Sequence, residues 1–120
     1  MNDAGTMQEW VDEFAESVAR QTDLIRIGDH ETGNKYALRR TELFNKLRAL
    51  GDVGRDALAP LLNHPRADVR VMTAAFLLRH RTGDALAVLQ AETKGVGIAA
   101  FSAQQAVERW EEGDWNLDPL

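Results

Sequence analysis

Residues 66–81 read RADVRVMTAAFLLRHR, and this stretch decides the fold class of the chain. Wound as a helix of 3.6 residues per turn, its central part is apolar on nearly every side. Such a helix needs neighbours on both sides, because one packing partner would leave apolar side chains in water. The polar positions that remain share a sector of about 100°, and they are Arg66, Arg70, Thr73, His80 and Arg81, with Leu77 among them.

Helical periodicity continues on both sides of this stretch, and no segment shows the alternation typical of a strand. A capping box at Thr6 and Glu9 predicts the start of the first helix. Gly51 stands where a left-handed C-cap would end the second helix, and Pro60 predicts a kink in the third. The predicted helices cover residues 7–25, 34–50, 55–62, 66–81, 84–93 and 98–111.

Two short motifs occur twice along the chain. The residues Asp56–Ala59 recur as Asp84–Ala87, and Ala74–Phe76 recurs as Ala99–Phe101. A short helix followed by a longer alanine-rich helix, twice over, is typical of an α-solenoid, whose stacked units share one core. The alternative is coincidence among alanine-rich amphipathic helices.

The motif ALAPLL at residues 57–62, followed by His64-Pro65, Asp68-Val69-Arg70 and Ala74-Ala75, resembles a HEAT repeat. The second helix of that family typically opens with Asp-Val-Arg, and its aspartate and arginine pair between adjacent repeats. The resemblance therefore implies such a pairing for Asp68 and Arg70. Residues 84–110 resemble a degenerate copy, and residues 7–50 match only as a helix pair.

The whole chain is also similar to a bacterial family of short HEAT-like proteins of unknown function. The shared features are an acidic first helix, an Asn34-Lys35 pair that opens the second helix, and a tryptophan near the end. This resemblance implies no activity.

The combined prediction is an all-α fold with a single HEAT-like domain over residues 1–120. About six helices form three antiparallel pairs in a short right-handed α-α superhelix of the HEAT/armadillo type. The pairs cover residues 7–50, 55–81 and 84–111. In such a stack the second helices of the pairs together line a shallow concave surface on which a partner could bind, called the docking wall below. The tail, residues 113–120, carries Trp115 either as a folded-back cap or as an exposed anchor.

Charge is segregated along the chain. Residues 1–32 hold eight acids and two bases, residues 33–81 hold ten bases and four acids, and residues 82–120 hold two bases and seven acids. One interpretation is a patch for an anionic group of a partner. The alternative is that the acidic ends neutralise the basic middle, or that Arg70 is paired within the chain. The candidate partner-binding residues, called the cationic set below, are Arg66, Arg70, Thr73, His80 and Arg81, with Arg39 and Arg40.

Composition excludes several classes of function. The chain has no cysteine, which removes disulfides, iron–sulfur clusters, thiolate zinc sites and cysteine nucleophiles. Its net charge of −5 argues against a nucleic-acid partner, and no apolar run approaches the length of a membrane span. The polar start, Met1–Thr6, does not resemble a secretory signal, so a cytoplasmic protein is expected. The three histidines lack metal-ligand spacing, and no metal or cofactor is expected.

The leading functional prediction is therefore a non-catalytic module that binds another protein or a peptide. The alternative is an immunity protein that neutralises a bacterial toxin, because acidic ends suit a basic nuclease. An enzyme is the third class, and loss of turnover on substitution of His80 or Glu112 would support it. The oligomeric state is left open.

Overall fold

The computed structural model describes residues 3–115 and 117–118. These residues form six α-helices and one 3-10 helix and contain no strand, which confirms the all-α prediction. The right-handed superhelix stays a prediction. The α-helices are α1 (Asp3–Arg26), α2 (His30–Arg48), α3 (Asp52–Ala57), α4 (Ala67–Leu77), α5 (Thr82–Glu92) and α6 (Ile98–Glu111), and the 3-10 helix is Ala59–Asn63.

The first two helices begin earlier than the sequence predicts. Because α1 starts at Asp3, Thr6 lies inside the helix and the predicted capping box is wrong. The carboxylate of Asp29 accepts a hydrogen bond of 3.2 Å from the backbone N–H of Thr32, and it therefore caps α2 at its start. The Asn34-Lys35 pair consequently lies within α2 rather than opening it.

The region around Gly51 and Pro60 combines a correction and a confirmation. Gly51 has a positive φ of 79°, but it is the N-cap of α3, whereas Ala49 ends α2 in a right-handed conformation. The predicted C-cap role of Gly51 is therefore wrong. Pro60 does break the helix, because α3 stops at Ala57 and the chain tightens into the 3-10 helix.

The chain divides into two compact units, Met1–Pro60 and Leu61–Leu120. The boundary falls inside the predicted pair over residues 55–81, so the two helices of that pair belong mainly to different units. In the first unit, α1 and α2 form a helical hairpin, and α3 contacts both. The buried apolar side chains of the hairpin are Val11, Phe14, Val18, Leu43, Phe44 and Leu47.

In the second unit, each of the helices α4, α5 and α6 packs against the other two. Seven of the eleven residues of α4 are buried, as expected for a helix that is apolar on most sides. The buried residues of α6 are Ala100, Ala103 and Ala106, whose small side chains permit a close approach to its neighbours. Because α4 is so enclosed, its own side chains offer little surface to a partner, and the docking wall stays a prediction.

The two copies of the sequence recurrence do not occupy equivalent places. Asp56 and Ala57 end α3, whereas the matching Asp84–Ala87 lie within α5. Phe76 is 2% exposed, whereas the matching Phe101 is 61% exposed. The matching segments therefore differ in burial and in their position within the helices, and their interpretation as repeated structural units stays a prediction.

Three large aromatic or aliphatic side chains are only partly covered. Trp10 and Trp110 are half-buried, and Leu50 is 44% exposed because α2 ends two residues before it. The Lys46 ammonium lies 5.6 Å from the centre of the Trp10 ring, a cation–π contact at the surface of the hairpin. No helix in the described ranges is both long enough and apolar enough to cross a membrane.

Candidate interaction surfaces

Two arginines of the cationic set bind carboxylates close by in the sequence. Arg66 donates from Nε and Nη2 to the two oxygens of Asp68, with both distances at 3.0 Å. Arg81 pairs with Asp84 at 3.2 Å. In each case a positive charge of the predicted patch is already balanced within one turn of the chain.

Arg70 is the most fully paired member of the cationic set. Its Nη2 lies 2.6 Å from the carboxylate of Glu92, and its Nε lies 2.8 Å from the same oxygen. Its Nη1 donates to the backbone carbonyls of His64 and Pro65 at 2.8 and 3.0 Å. Arg70 therefore joins α4 to α5 and to the turn before α4. The carboxylate that Arg70 binds is Glu92, and Asp68 binds Arg66. The pairing between adjacent repeats that the HEAT resemblance implies stays a prediction.

Thr73 and His80 do not complete an exposed cationic surface. Thr73 is fully buried, and its hydroxyl has no hydrogen-bond partner in the described part of the chain. A partner therefore cannot reach the Thr73 side chain without unfolding α4. His80 follows the end of α4 and is half-buried.

In the first unit, Arg39 joins α2 to α1. Its guanidinium binds both oxygens of Glu13, one of them from Nη2 at 2.9 Å, and Nη1 donates to Glu42 at 3.1 Å. The hydrogen bond from Arg39 holds the pKa of the Glu13 carboxyl below its ordinary value. Here an acid of the first helix neutralises a base of the second, as the alternative interpretation of the charge pattern predicts.

Arg40 differs from the other arginines of the cationic set because it binds no carboxylate in the described residues. Its Nη1 donates to the side-chain oxygen of Gln21, and its Nε is buried without a hydrogen-bond partner. Burial lowers the pKa of this guanidinium. Arg40 is thus a half-buried member of the α1–α2 contact rather than an exposed anion-binding group.

A cleft of about 410 Å³ lies along the α1–α2 hairpin. The Glu13–Arg39 pair lines it, and a second pair, Glu16 with Arg20 at 2.9 Å, does so as well. The Arg20 guanidinium also lies 5.9 Å from the centre of the Tyr36 ring. Most of the charged groups in this cleft are therefore already engaged with one another.

The exposed side of α6 carries both apolar and polar side chains. Phe101 is 61% exposed, and Val96, in the turn just before the helix, is 96% exposed. At 100° per residue, Phe101 lies opposite the buried alanines, at the centre of the exposed side. We define the α6 face as the exposed residues Phe101, Gln104, Gln105, Glu108 and Glu112.

The end of the α6 face is acidic. Glu108, Glu111 and Glu112 are exposed, and Arg109 is the single base in this stretch. The ion pairs identified in residues 3–115 and 117–118 do not include any of these three carboxylates. One end of α6 thus carries an aromatic side chain in water, and the other end carries unneutralised negative charge.

The tail folds back on the second unit, which decides between the two predicted roles of Trp115. Arg79 donates from Nη2 to the backbone carbonyl of Trp115 at 2.9 Å, and the indole is half-buried. Asp118 is fully buried. Residues 116, 119 and 120 of the predicted tail lie outside the described residues.

The predicted docking wall included α6 as the second helix of its pair, but the candidate partner-binding residues did not include Phe101. The sequence signal for its exposure is the position of Phe101 on the same side of α6 as Glu108 and Glu112, since a helix side that carries carboxylates faces water. No group of three or more histidine, aspartate and glutamate side chains in the described ranges could hold a metal ion.

Comparison with known proteins finds no matching family model, no matching curated protein and no matching solved structure.

Proposed function

We propose that this protein is a non-catalytic binding module and that the α6 face, together with Val96, is the surface that contacts its protein or peptide partner. The observation that carries the proposal is the exposure of Phe101, which is 61%. Phe101 lies near the start of α6, on a helix side that is otherwise polar. An exposed aromatic side chain with polar neighbours is typical of an anchor residue in protein interfaces.

The neutralisation of the cationic set supports this choice of surface. Arg66, Arg70 and Arg81 each hold a carboxylate of their own unit, so an anionic partner would have to displace it. Phe101 needs no such displacement, because 61% of its surface is exposed. A cytoplasmic location and a relationship to HEAT-like proteins belong to this proposal as expectations from the sequence.

Affinity capture from an extract of the cells that make the protein tests the proposal. The bait is either the natural sequence or the variant Phe101→Ser, and the captured proteins are compared by mass spectrometry. We expect at least one partner to be lost with the variant. Circular dichroism should show unchanged helix content, because the substituted side chain lies outside the core.

Leu38→Ser provides a matched control. Leu38 is 67% exposed on α2, close to the exposure of Phe101, and it belongs to the first unit. The control should keep every partner that Phe101→Ser loses. Identical capture by Phe101→Ser and the natural sequence would contradict the proposal.

An immunity protein is the second candidate, and the acidic end of the α6 face favours it. A basic toxin domain would complement Glu108 and Glu112 of that face, the neighbouring exposed Glu111 and the net charge of −5. The distinguishing measurement is cell growth on expression of the captured partner alone and with this protein. Growth arrest that this protein relieves would establish the immunity function, whereas a harmless partner would favour the general binding module.

A further inference from the structure

We infer that the α6 face binds a cationic polypeptide segment, with an apolar residue of the segment against Phe101 and positive charges at Glu108 and Glu112. This inference rests on the proposed function and specifies the chemistry of the partner. It concerns a segment of another protein, and it requires the two ends of α6 to act together.

The spacing along α6 sets the geometry of such a segment. Glu108 and Glu112 follow Phe101 by seven and eleven residues. At 100° per residue, both carboxylates lie within about 20° of the direction of Phe101. At 1.5 Å per residue they lie about 10 Å and 16 Å along the axis from it. The three side chains therefore form a straight row on one side of the helix.

The other charges of this helix lie beside the row. By the same rotation, Glu111 points about 80° to one side of Phe101 and Arg109 about 80° to the other. Both are exposed. Arg109 consequently offsets part of the negative potential without standing between Phe101 and the two carboxylates. Glu111 carries the same charge as Glu108 on the same helix but lies outside the row, so its substitution serves as a control for substitutions within the row.

The two carboxylates and the aromatic ring of this row determine which class of partner it can bind. Carboxylates repel phosphate, so neither a nucleic acid nor an anionic lipid surface is favoured at this end of α6. A lysine-rich or arginine-rich segment gains attraction at two points and apolar contact at a third. A partner helix that lies along α6 would repeat the spacing of seven and eleven residues, because both helices rise equally per residue.

Designed peptides provide the probe. Two helical peptides of 18 residues, built from alanine and glutamine, each carry one leucine and two lysines. One peptide has the order Leu-x6-Lys-x3-Lys and the other has the reverse order, so that a peptide helix can match α6 in either direction. Chemical shifts of the ¹⁵N-labelled protein are followed during titration at low ionic strength. We expect shifts in residues 96–112 with at least one peptide, and about tenfold weaker binding for the same peptide with glutamates in place of its lysines.

Variants of the protein locate the charges. Glu108→Gln combined with Glu112→Gln should weaken binding of the lysine peptide about three- to tenfold, because two exposed charge pairs are lost. The matched control, Glu111→Gln, should change it less than twofold. Added salt should remove most of the difference, since exposed charges are screened. A peptide with serine in place of leucine should also bind more weakly.

The outcomes separate this inference from the proposed function. The inference is overturned if neither peptide binds, if the lysine and glutamate peptides bind equally, or if Glu111→Gln weakens binding as much as the double variant does. If Phe101→Ser still loses its captured partner in any of those cases, the proposed function stands without the cationic chemistry. If Phe101→Ser loses no partner, the proposed function falls by its own test.

Discussion

Gly54, the third residue of α3, is the position where one added carbon atom should cost the most. A Cβ there would lie 2.6 Å from the carbonyl carbon of Leu47, closer still to its carbonyl oxygen, and 3.1 Å from the Cβ of Leu50. Real Cβ atoms essentially never approach other atoms within 3.0 Å. The obstacle is backbone at the end of α2, so no side-chain rotation can relieve it, and α3 must move away from α2.

The magnitude follows from two opposing effects. Overpacking of a well-packed contact costs about 1–3 kcal/mol, and a clash with backbone lies at the upper end of that range. The better helix propensity of alanine relative to glycine stabilises the fold by only about 1 kcal/mol. We therefore expect Gly54→Ala to lower the free energy of unfolding by about 2 kcal/mol or more, with disturbed packing around the buried Leu58.

Urea denaturation followed by circular dichroism measures this loss. Gly83→Ala is the matched control, because Gly83 lies in α5, has open space around its Cβ position and has no positive φ. The control should raise the free energy of unfolding by up to about 1 kcal/mol. Equal effects of the two substitutions would refute the argument that the approach of α3 to α2 requires glycine at position 54.

Three further predictions concern the core and the charged side chains. Phe76→Ala should lower the free energy of unfolding by about 3–5 kcal/mol, whereas Phe101→Ala should change it by less than about 0.5 kcal/mol. Equal losses in thermal unfolding would contradict the difference in burial between the two side chains. Glu13→Gln should cost less than about 1 kcal/mol, since Glu13 and Arg39 are both partly exposed. Because the folded-state pKa of Glu13 is lowered, that stabilisation is present above the unfolded-state pKa and is lost as the pH falls through the folded-state pKa. Urea titrations across the acid range should therefore show that the free energies of unfolding of the natural protein and Glu13→Gln converge at low pH. A difference that stays constant with pH would contradict the stabilising role of the ionised Glu13 carboxylate. Arg40→Met should keep stability within about 1 kcal/mol or raise it, because the half-buried guanidinium binds no carboxylate in the described residues; a loss of 3 kcal/mol by calorimetry would show that its bond to Gln21 dominates.

The distribution of charge along the chain did not reveal which charged side chains would pair in the folded protein. Their separation predicted either an open basic patch or internal neutralisation, and nothing in the sequence chose between them. The structure pairs Arg39 with Glu13 and Arg70 with Glu92, partners that lie far apart in the chain. Side-chain pairing over such distances depends on which helix sides meet, and periodicity along one helix does not contain that information.

The sequence by itself determined that the regular secondary structure of the described residues is helical and that α4 is enclosed, because apolar spacing and apolar coverage are properties of a single segment. It also determined the break at Pro60, which follows from the missing N–H of proline. Only the tertiary structure decided that Phe76 is buried and Phe101 is exposed, although both follow a pair of alanines. The physical reason is that burial depends on the neighbouring helices present in space, and identical local sequences can face a core in one helix and water in another.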